Sequence, residues 1–384
     1  MPAIDWITIK GFKSLASIER LPLRQINILI GANGAGKSNF IEALDLFRAT
    51  INGELLRFVL HAGGAEPLLH FGKRKTSEIH LQWSLQDERI HYEIELGVNQ
   101  GNILEILKEV CTINGLDDQG QPLTTRINLP STSAGVNYHR DSSKPVASVR
   151  AYLEKMWVYH FHDAGNLSPM KNTPRLHDNR FLHADGANLA AFLYLLRARY
   201  EHAYDAIRST IRLAVPFLED FKLEPVKLNP NTIRLEWRHR GSRHSFDISS
   251  LSDGTLRFIA LVTLLLQPPE TRPPVIMLDE PELGLHPMAI DLLAALIDRA
   301  SAGAQIIVAT QSSHLIDHFD PEDVVVADRV KGATMLSRLQ TDKLKGWLEE
   351  YSLGQLWENN EFDGCPCLRP LDEHPYQPTA AGPC

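Results

Sequence analysis

The feature that most constrains the fold is a glycine-rich loop, Gly31–Ser38 (GANGAGKS), which directly follows the apolar segment Gln25–Ile30. In a G-x-x-x-x-G-K-[ST] loop the backbone N–H groups close around phosphates, the lysine reaches the β and γ oxygens, and the hydroxyl takes a position on magnesium. The apolar residues of Asn39–Ala49 predict a helix whose N-terminal dipole points at the same anion. This order of strand, loop and helix predicts an α/β fold that binds ATP or GTP. The loop residues expected to contact the nucleotide or its Mg²⁺ are Asn33, Gly34, Gly36, Lys37, Ser38 and Asn39.

A second part of the site is predicted at Pro274–Glu280 (PVIMLDE), where an apolar segment ends in two acids. Four consecutive apolar residues between prolines and carboxylates are typical of a parallel strand that is covered on both faces. Open α/β sheets bind ligands at the carboxyl ends of such strands. Asp279 is therefore expected to hold Mg²⁺, directly or through water, and Glu280 to polarise the attacking water. A solvated strand end is the alternative.

A third segment, Leu251–Phe258 (LSDGTLRF), precedes an apolar run and predicts a helix that is capped by Ser252. Taken alone, it indicates only a helix start. Its position shortly before Pro274–Glu280 gives it more weight, because there it matches the signature motif of ABC-type ATPases.

Five segments together resemble the SMC/RecF/OLD branch of ABC-type ATPases. More narrowly, they are similar to the stand-alone bacterial ATPases of that branch, which lack a long coiled coil and a fused TOPRIM nuclease. The segments are residues 7–14 (ITIKGFKS), 31–39, 251–258, 279–287 (DEPELGLHP) and 309–312 (ATQS). The resemblance implies an ABC-type P-loop ATPase head, a mixed sheet with flanking helices, that carries an α/β insertion.

The resemblance also implies a head-to-tail homodimer that clamps two ATP molecules, each between the phosphate loop of one subunit and the signature of the other. Ser252 and Gly254 would touch the γ-phosphate across the dimer, and Glu280 would be the general base. Leu283–His286 would form the loop that couples the two sites. Lys13 lies where relatives have a basic residue near the nucleotide, although a solvated lysine is as good an interpretation.

One position departs from the superfamily pattern, since Gln311 occupies the switch position that is often histidine. A glutamine can hydrogen-bond a γ-phosphate but cannot carry a proton as an imidazole can. Slow hydrolysis is expected. The glutamine loop of the superfamily has two weak candidates, Gln82 in a strand-like run and Gln100 in a turn.

Composition and charge limit the partners and the compartment. The 384 residues are 43% hydrophobic and 22% charged, as in ordinary globular proteins. The apolar run Phe258–Leu266 is too short to cross a membrane, and the first residues lack the pattern of a secretory signal, so cytoplasmic localisation is expected. The formal net charge of −8 argues against bulk coating of nucleic acid. Contact with double-stranded DNA would need a local basic patch, for which Gly72–Lys75 and Arg234–His244 are the candidates.

The chain is expected to contain four segments. These are an N-terminal ATPase lobe (1–100), an insertion or helical lobe (101–231), a C-terminal ATPase lobe with the signature and the acidic strand (232–345), and a partly disordered tail (346–384). A helix from Gly186 to about Leu213 is predicted to bury its apolar stripe in the core. The tail holds Cys365, Cys367 and Cys384, whose spacing does not match a usual zinc site.

Three functions stay open at this level. The first is an ATP-hydrolysing dimer that acts on DNA, in repair or in phage defence. The second is a nucleotide-state switch that regulates a protein effector, such as a separately encoded nuclease. The third is the motor subunit of a membrane transporter, against which the sequence after Glu280 (PELGLHP) argues because it is unlike the transporter type.

Overall fold

The computed structural model describes residues 4–116, 122–128, 154–161, 165, 167–359 and 361–362. The cysteine-containing end of the tail lies outside these residues. The predicted α/β fold is confirmed: two large sheets enclose one central helix, and further helices cover the outer face of the second sheet. Among the described residues, no helix is long and apolar enough to span a bilayer.

The first sheet is antiparallel and has six strands in the order β2-β1-β4-β5-β6-β7. Its strands are β1 (Ile4–Phe12), β2 (Leu15–Pro22), β4 (Glu78–Leu85), β5 (Ile90–Val98), β6 (Leu104–Leu116) and β7 (Pro122–Asn128). Alternate residues of β4 and β5 are buried, as expected when one face of a sheet is packed and the other is wet. The strands on either side of residue 100 pair with each other, so this sheet continues across the boundary expected between the first two segments.

The second sheet is mixed and has the strand order β17-β16-β3-β15-β14-β8. Its strands are β3 (Ile26–Ile30), β8 (Trp157–Tyr159), β14 (Val275–Asp279), β15 (Gln305–Thr310), β16 (Val324–Val330) and β17 (Ala333–Arg338). All pairs are parallel except β16 with β17. The predicted buried parallel strands at Ile26–Ile30 and Val275–Asp279 are therefore confirmed, and they are neighbours of the same strand, β15.

Strands β3, β14 and β15 separate two hydrophobic clusters. Leu29, Met277 and Ile307 face the cluster shared with the antiparallel sheet. Ile28 and Ile306 face the opposite cluster, which includes the outer helices. Because side chains alternate along a strand, continuous apolar runs are what this two-sided burial requires.

Helix α1 (Lys37–Ile51) lies between the two sheets and is followed by the short α2 (Leu55–His61). It begins at Lys37, within the last two residues of the phosphate-loop motif and two residues before the predicted start. The ring of its Phe47 stacks on Trp83 of β4 at a centroid distance of 4.2 Å. This contact anchors the phosphate loop's helix to the antiparallel sheet.

Four longer helices cover the other face of the mixed sheet: α3 (Leu189–Arg199), α4 (Glu201–Ala214), α5 (Asp253–Leu266) and α6 (Pro287–Ser301). The single helix predicted from Gly186 to Leu213 is thus two helices, because Tyr200 leaves helical geometry at φ −134° and ψ 55°. Its apolar stripe is buried, as predicted.

Two small sheets join these helices. One has the order β13-β12-β9, from β9 (Leu218–Lys222), β12 (Glu236–His239) and β13 (Ser245–Asp247), and confirms the hairpin predicted at Arg234–His244. The other pairs β10 (Pro225–Val226) with β11 (Asn229–Ile233).

The last described elements are α7 (Ser313–Ile316), α8 (Thr341–Leu344) and α9 (Leu353–Glu358). Helix α9 begins with a capping box between Ser352 and Gln355. It docks on α7, where the N–H of Gly354 donates to the Asp317 carboxylate at 2.6 Å. A Cβ at Gly354 would lie 2.5 Å from the Ser313 carbonyl oxygen, so only glycine permits this approach. The first part of the tail is therefore an ordered helix.

Candidate functional site

The phosphate loop and the acidic strand meet at the carboxyl end of the mixed sheet. The loop follows β3, and Asp279 ends β14, two strands away across β15. Ser38 Oγ lies 3.3 Å from Asp279 Oδ1. The two residues expected to hold Mg²⁺ are thus brought together although 241 positions separate them in the sequence.

Lys37 is folded into the loop, with a relative exposure of 4%. Its Nζ donates to the carbonyl oxygens of Gly31 at 2.7 Å and Ala32 at 3.1 Å. Burial lowers the pKa of Lys37, whereas the nearby carboxylates, Glu280 foremost, act to raise it. An ammonium held by two neutral carbonyls beside three acids is a partly desolvated cation, which favours an anionic ligand at the loop.

The loop is held by hydrogen bonds to two residues that the sequence analysis gave no role, Ser14 and Thr334. Asn39 donates to Ser14 Oγ at 2.7 Å, and Thr334 Oγ1 donates to the Ala35 carbonyl at 2.8 Å. A Cβ at Gly36 would lie 2.0 Å from Thr334 Oγ1, and Gly36 has φ 105°, so a side chain is excluded for two reasons. No motif marks Thr334, because it reaches the loop only through the pairing of β17 with β16.

Two predicted catalytic residues contact each other. The side-chain amide of Gln311, which follows β15, donates to a carboxylate oxygen of Glu280. Glu280 follows β14 and has φ 42°, a left-handed conformation that costs a residue with a side chain about 1–3 kcal/mol. Its N–H donates to the Ala309 carbonyl at 2.7 Å, which holds this turn in place. Strain of this kind is typical of functional sites.

Glu282 is a further acid in the site to which the sequence analysis assigned no role. Its Oε1 accepts from the Thr310 hydroxyl at 2.5 Å and from the Gln311 N–H at 3.1 Å. Burial raises the pKa of Glu282, and these two hydrogen bonds act to lower it. Its other oxygen, Oε2, is buried without a hydrogen-bond partner among the described residues. In the sequence, only the PELG segment after Glu280 could have indicated that Glu282 belongs to the site.

The signature segment has the predicted capped start. Ser252 Oγ accepts from the Thr255 N–H at 3.2 Å at the first turn of α5. Gly254 packs against the loop after β14, because a Cβ there would lie 2.2 Å from the Gly284 carbonyl oxygen. The side chain of Arg257 donates to the Phe161 carbonyl at 3.0 Å and would lie 3.2 Å from a Cβ at Gly284. The signature and the Leu283–His286 loop are therefore in direct contact within the chain.

Three other predicted residues make no hydrogen bond to Asp279 or Glu280 among those that the structure shows. Lys13 forms an ion pair with Glu42 of α1. Asn33 is exposed at the tip of the phosphate loop, where the Gly34 carbonyl accepts from Arg329 at 3.2 Å. Gln82, one candidate for the glutamine loop, lies in β4 and hydrogen-bonds Glu93.

The chain was compared with protein families and curated proteins. Residues 26–317 match the family described as "AAA domain, putative AbiEii toxin, Type IV TA system". No curated protein matches the chain.

Solved structures of SMC heads share the fold. An SMC head bound to the C-terminal winged-helix domain of ScpA has a TM-score of 0.61 at 16% identity, over 88% of this chain and 99% of that one. An SMC head with an extended coiled coil, bound to the C-terminal domain of ScpA from Pyrococcus furiosus, has a TM-score of 0.58 at 15% identity. This match covers 91% of this chain and 99% of that one. A third SMC head, with a coiled coil and joint, from Pyrococcus yayanosii, has a TM-score of 0.51 at 14% identity, again over 91% of this chain and 99% of that one.

The family match covers well over half of the chain and includes the phosphate loop, the signature and the acidic strand. The structural matches extend nearly the full length of the SMC heads. The chain therefore belongs to this AAA-domain family and has the ABC-type ATPase fold of an SMC head.

Proposed function

We propose that the protein binds ATP with Mg²⁺ and hydrolyses it. The observation that carries this proposal is the 3.3 Å approach of Ser38 Oγ to Asp279 Oδ1, beside Lys37, whose charge interacts with Glu280 and Asp279. A phosphate loop and two strand-end acids that meet at one sheet edge are the arrangement that phosphoryl transfer from a nucleoside triphosphate needs.

Hydroxyl and carboxylate oxygens, as offered by Ser38 and Asp279, are the donors that a hard divalent cation prefers. Mg²⁺ bound there would neutralise charge on the β- and γ-phosphate oxygens. Lys37 would then exchange its contacts with the Gly31 and Ala32 carbonyls for phosphate oxygens, which gains a charge-assisted hydrogen bond.

Glu280 is the proposed general base, whose carboxylate accepts a proton from the attacking water. Gln311 donates to this carboxylate and holds its orientation, and it can hydrogen-bond the γ-phosphate with the same amide. Since an amide takes up no proton at neutral pH, proton transfer depends on Glu280 alone. Turnover is accordingly proposed to be slow.

The active form is proposed to be an ATP-dependent homodimer in which Ser252 and Gly254 of one subunit contact the γ-phosphate held by the other. Two features support this. Ser252 is exposed and, among the described residues, its hydroxyl contacts only Thr255 of its own helix. Leu283, in the coupling loop that Gly254 contacts, and Met288, at the start of α6, are each 51% exposed. A surface with exposed apolar side chains around a helix N-terminus suits burial against a second copy.

The proposed partner is double-stranded DNA, contacted in repair or phage defence. The exposed turn of the β12–β13 hairpin presents Arg240 and Arg243, and Lys73–Lys75 form a second exposed basic group. The alternative is a nucleotide-state switch on a protein effector such as a nuclease. It is supported by the toxin description of the matched family and by the bound ScpA domain of the SMC head.

Calorimetric titration of Mg²⁺-ATP tests the nucleotide proposal. Lys37→Ala should lose binding, while Lys10→Ala, which removes a partly exposed lysine paired with Glu19, should bind like the parent. Equal ATP affinity in Lys37→Ala and the parent would contradict the assignment.

A turnover assay separates the DNA proposal from the effector switch. The DNA proposal expects that double-stranded DNA stimulates ATP turnover and that combined Arg240→Ala and Arg243→Ala substitution abolishes this stimulation.

A further inference from the structure

A cluster of two histidines and one aspartate joins α6 to the segment around α7. His314 lies in α7, His318 follows it four positions later, and Asp291 lies in the second turn of α6. The Nε2 atoms of His314 and His318 lie 2.8 and 3.0 Å from the same atom, Asp291 Oδ1. Three potential ligand atoms, from two neighbouring elements, thus lie within 4.8 Å of one another.

From this convergence, we propose that Asp291, His314 and His318 form a binding site for a transition-metal cation, with Zn²⁺ as the expected ion. Tetrahedral Zn²⁺ has bonds of about 2.0–2.1 Å, so its ligand atoms lie about 3.3 Å apart. The two observed distances from Asp291 Oδ1 to the histidine nitrogens need to widen by only a few tenths of an ångström. Imidazole nitrogens select Zn²⁺ and its neighbours in the first row over Mg²⁺, which prefers oxygen.

A second group of potential ligands differs because a lysine already neutralises its carboxylates. His80, Glu93 and Glu95 also converge, but Lys108 Nζ already lies 2.6 Å from Glu93 and 2.9 Å from Glu95. An ammonium there neutralises the carboxylates and occupies the place of a metal ion. Asp291, by contrast, has no lysine or arginine ion partner within the part of the chain that the structure describes.

Access also favours binding at the histidine cluster. The side chains of Asp291, His314 and His318 are 49%, 45% and 35% exposed, so a cation can enter and keep water as a fourth ligand. The position of the site also matters for the proposed nucleotide response, because of the segments that it connects. Helix α6 follows the Leu283–His286 loop, and α7 begins directly after Ser312, next to Gln311. A bound ion would tie together the two elements that follow the proposed nucleotide-sensing segments. This consequence rests on the proposed function, whereas metal binding itself does not.

Titration of the full-length, chelator-treated protein with Co²⁺, followed by visible absorption, tests the site, and competition with Zn²⁺ gives the affinity for zinc. The parent should bind one equivalent at this site. His314→Gln and Asp291→Ala should each weaken binding by at least about tenfold, since loss of even supporting groups costs about 10–100-fold. His80→Gln, in the second group, is the matched control and should bind like the parent.

Two readouts keep the result unambiguous. Ligation by the tail cysteines Cys365 and Cys367 would add thiolate charge-transfer bands, which nitrogen and oxygen ligands do not give. Zn²⁺ should also raise the melting temperature of the parent more than that of His314→Gln at the same Zn²⁺ concentration. Equal Co²⁺ affinity in the parent and both variants, or binding that shows only thiolate bands, would overturn the proposal. Either outcome leaves the ATP titrations of Lys37→Ala unaffected, so the two proposals fail separately.

Discussion

Gln311 donates its side-chain amide to Glu280, and its backbone N–H donates to Glu282. One residue at the end of β15 is thereby held by two acids from the segment after β14. Any change in the spacing of β14 and β15 at this edge would alter both hydrogen bonds. We therefore expect Gln311 and the proposed base, Glu280, to respond together to a bound nucleotide.

Replacing the proposed base tests its role directly. Glu280→Gln keeps the shape of the side chain and leaves Asp279 and Ser38 in place, but removes the proton acceptor. Turnover should fall by about 10²–10⁴-fold, the usual contribution of a general base, while ATP binding persists. Because hydrolysis no longer ends the bound state, the variant should accumulate as a dimer in light scattering with Mg²⁺-ATP. A monomer with normal turnover would disprove both the base and the dimer.

Glu282 predicts a pH effect on stability. Burial raises the pKa of the Glu282 carboxyl above its ordinary value of 4.5, so the ionised form is disfavoured in the folded state. The unfolded chain releases this proton at lower pH than the folded one. The contribution of Glu282 to the free energy of unfolding is therefore greatest below about pH 4.5 and is lost as pH rises through the raised pKa.

Glu282→Gln should remove this dependence while its Oε1 still accepts from Thr310 and Gln311. The decline in melting temperature from pH 4.5 upward should be shallower in the variant than in the parent. Glu19→Gln, at an exposed position where Lys10 lowers the pKa, should not make the decline shallower. Parallel melting curves for the parent and Glu282→Gln across this range would show that Glu282 is not the source.

Gly254→Ala tests the contact between the signature and the coupling loop. The new Cβ would lie 2.2 Å from the backbone oxygen of Gly284, so the loop must shift, at a cost of about 1–3 kcal/mol. Hydrolysis should fall while each protomer still binds ATP through its own phosphate loop. Gly346→Ala is the matched control, because nothing lies within 4 Å of a Cβ at that position. Equal turnover in both variants would mean that the contact is only packing.

Local sequence patterns predicted the parts of the site that are continuous in the chain. The phosphate loop, the acidic strand and the capped start of α5 are each set by residues within a few positions of one another. Because continuous apolar runs indicate two-sided burial, the parallel strands were predictable as well.

Local sequence patterns did not predict the contacts that depend on pairing between distant strands. Thr334 braces the phosphate loop only because β17 folds back on β16, some 300 positions after Ala35. The break at Tyr200 was also missed, since no proline or glycine marks it. Glu282 was given no role because an acid in a polar loop is usually exposed. Its burial depends on the pairing of β14 with β15, which the local sequence does not show.

The dimer is tested most directly at Ser252, whose hydroxyl caps α5. Ser252→Arg should place a bulky cation where the partner's nucleotide is proposed to lie, so ATP binding persists in each protomer while hydrolysis is lost. Ser252→Ala separates the cap from the interface, since removal of the cap alone costs about 1 kcal/mol of stability.

A mixture of Ser252→Arg and Lys37→Ala proteins tests the dimer most directly. Each mixed dimer has one intact phosphate loop facing one intact signature. Where one working site suffices, the mixture should regain ATPase activity that both variants lack alone. Full turnover by Ser252→Arg alone would mean that Ser252 is only a helix cap and that ATP is hydrolysed within a single protomer.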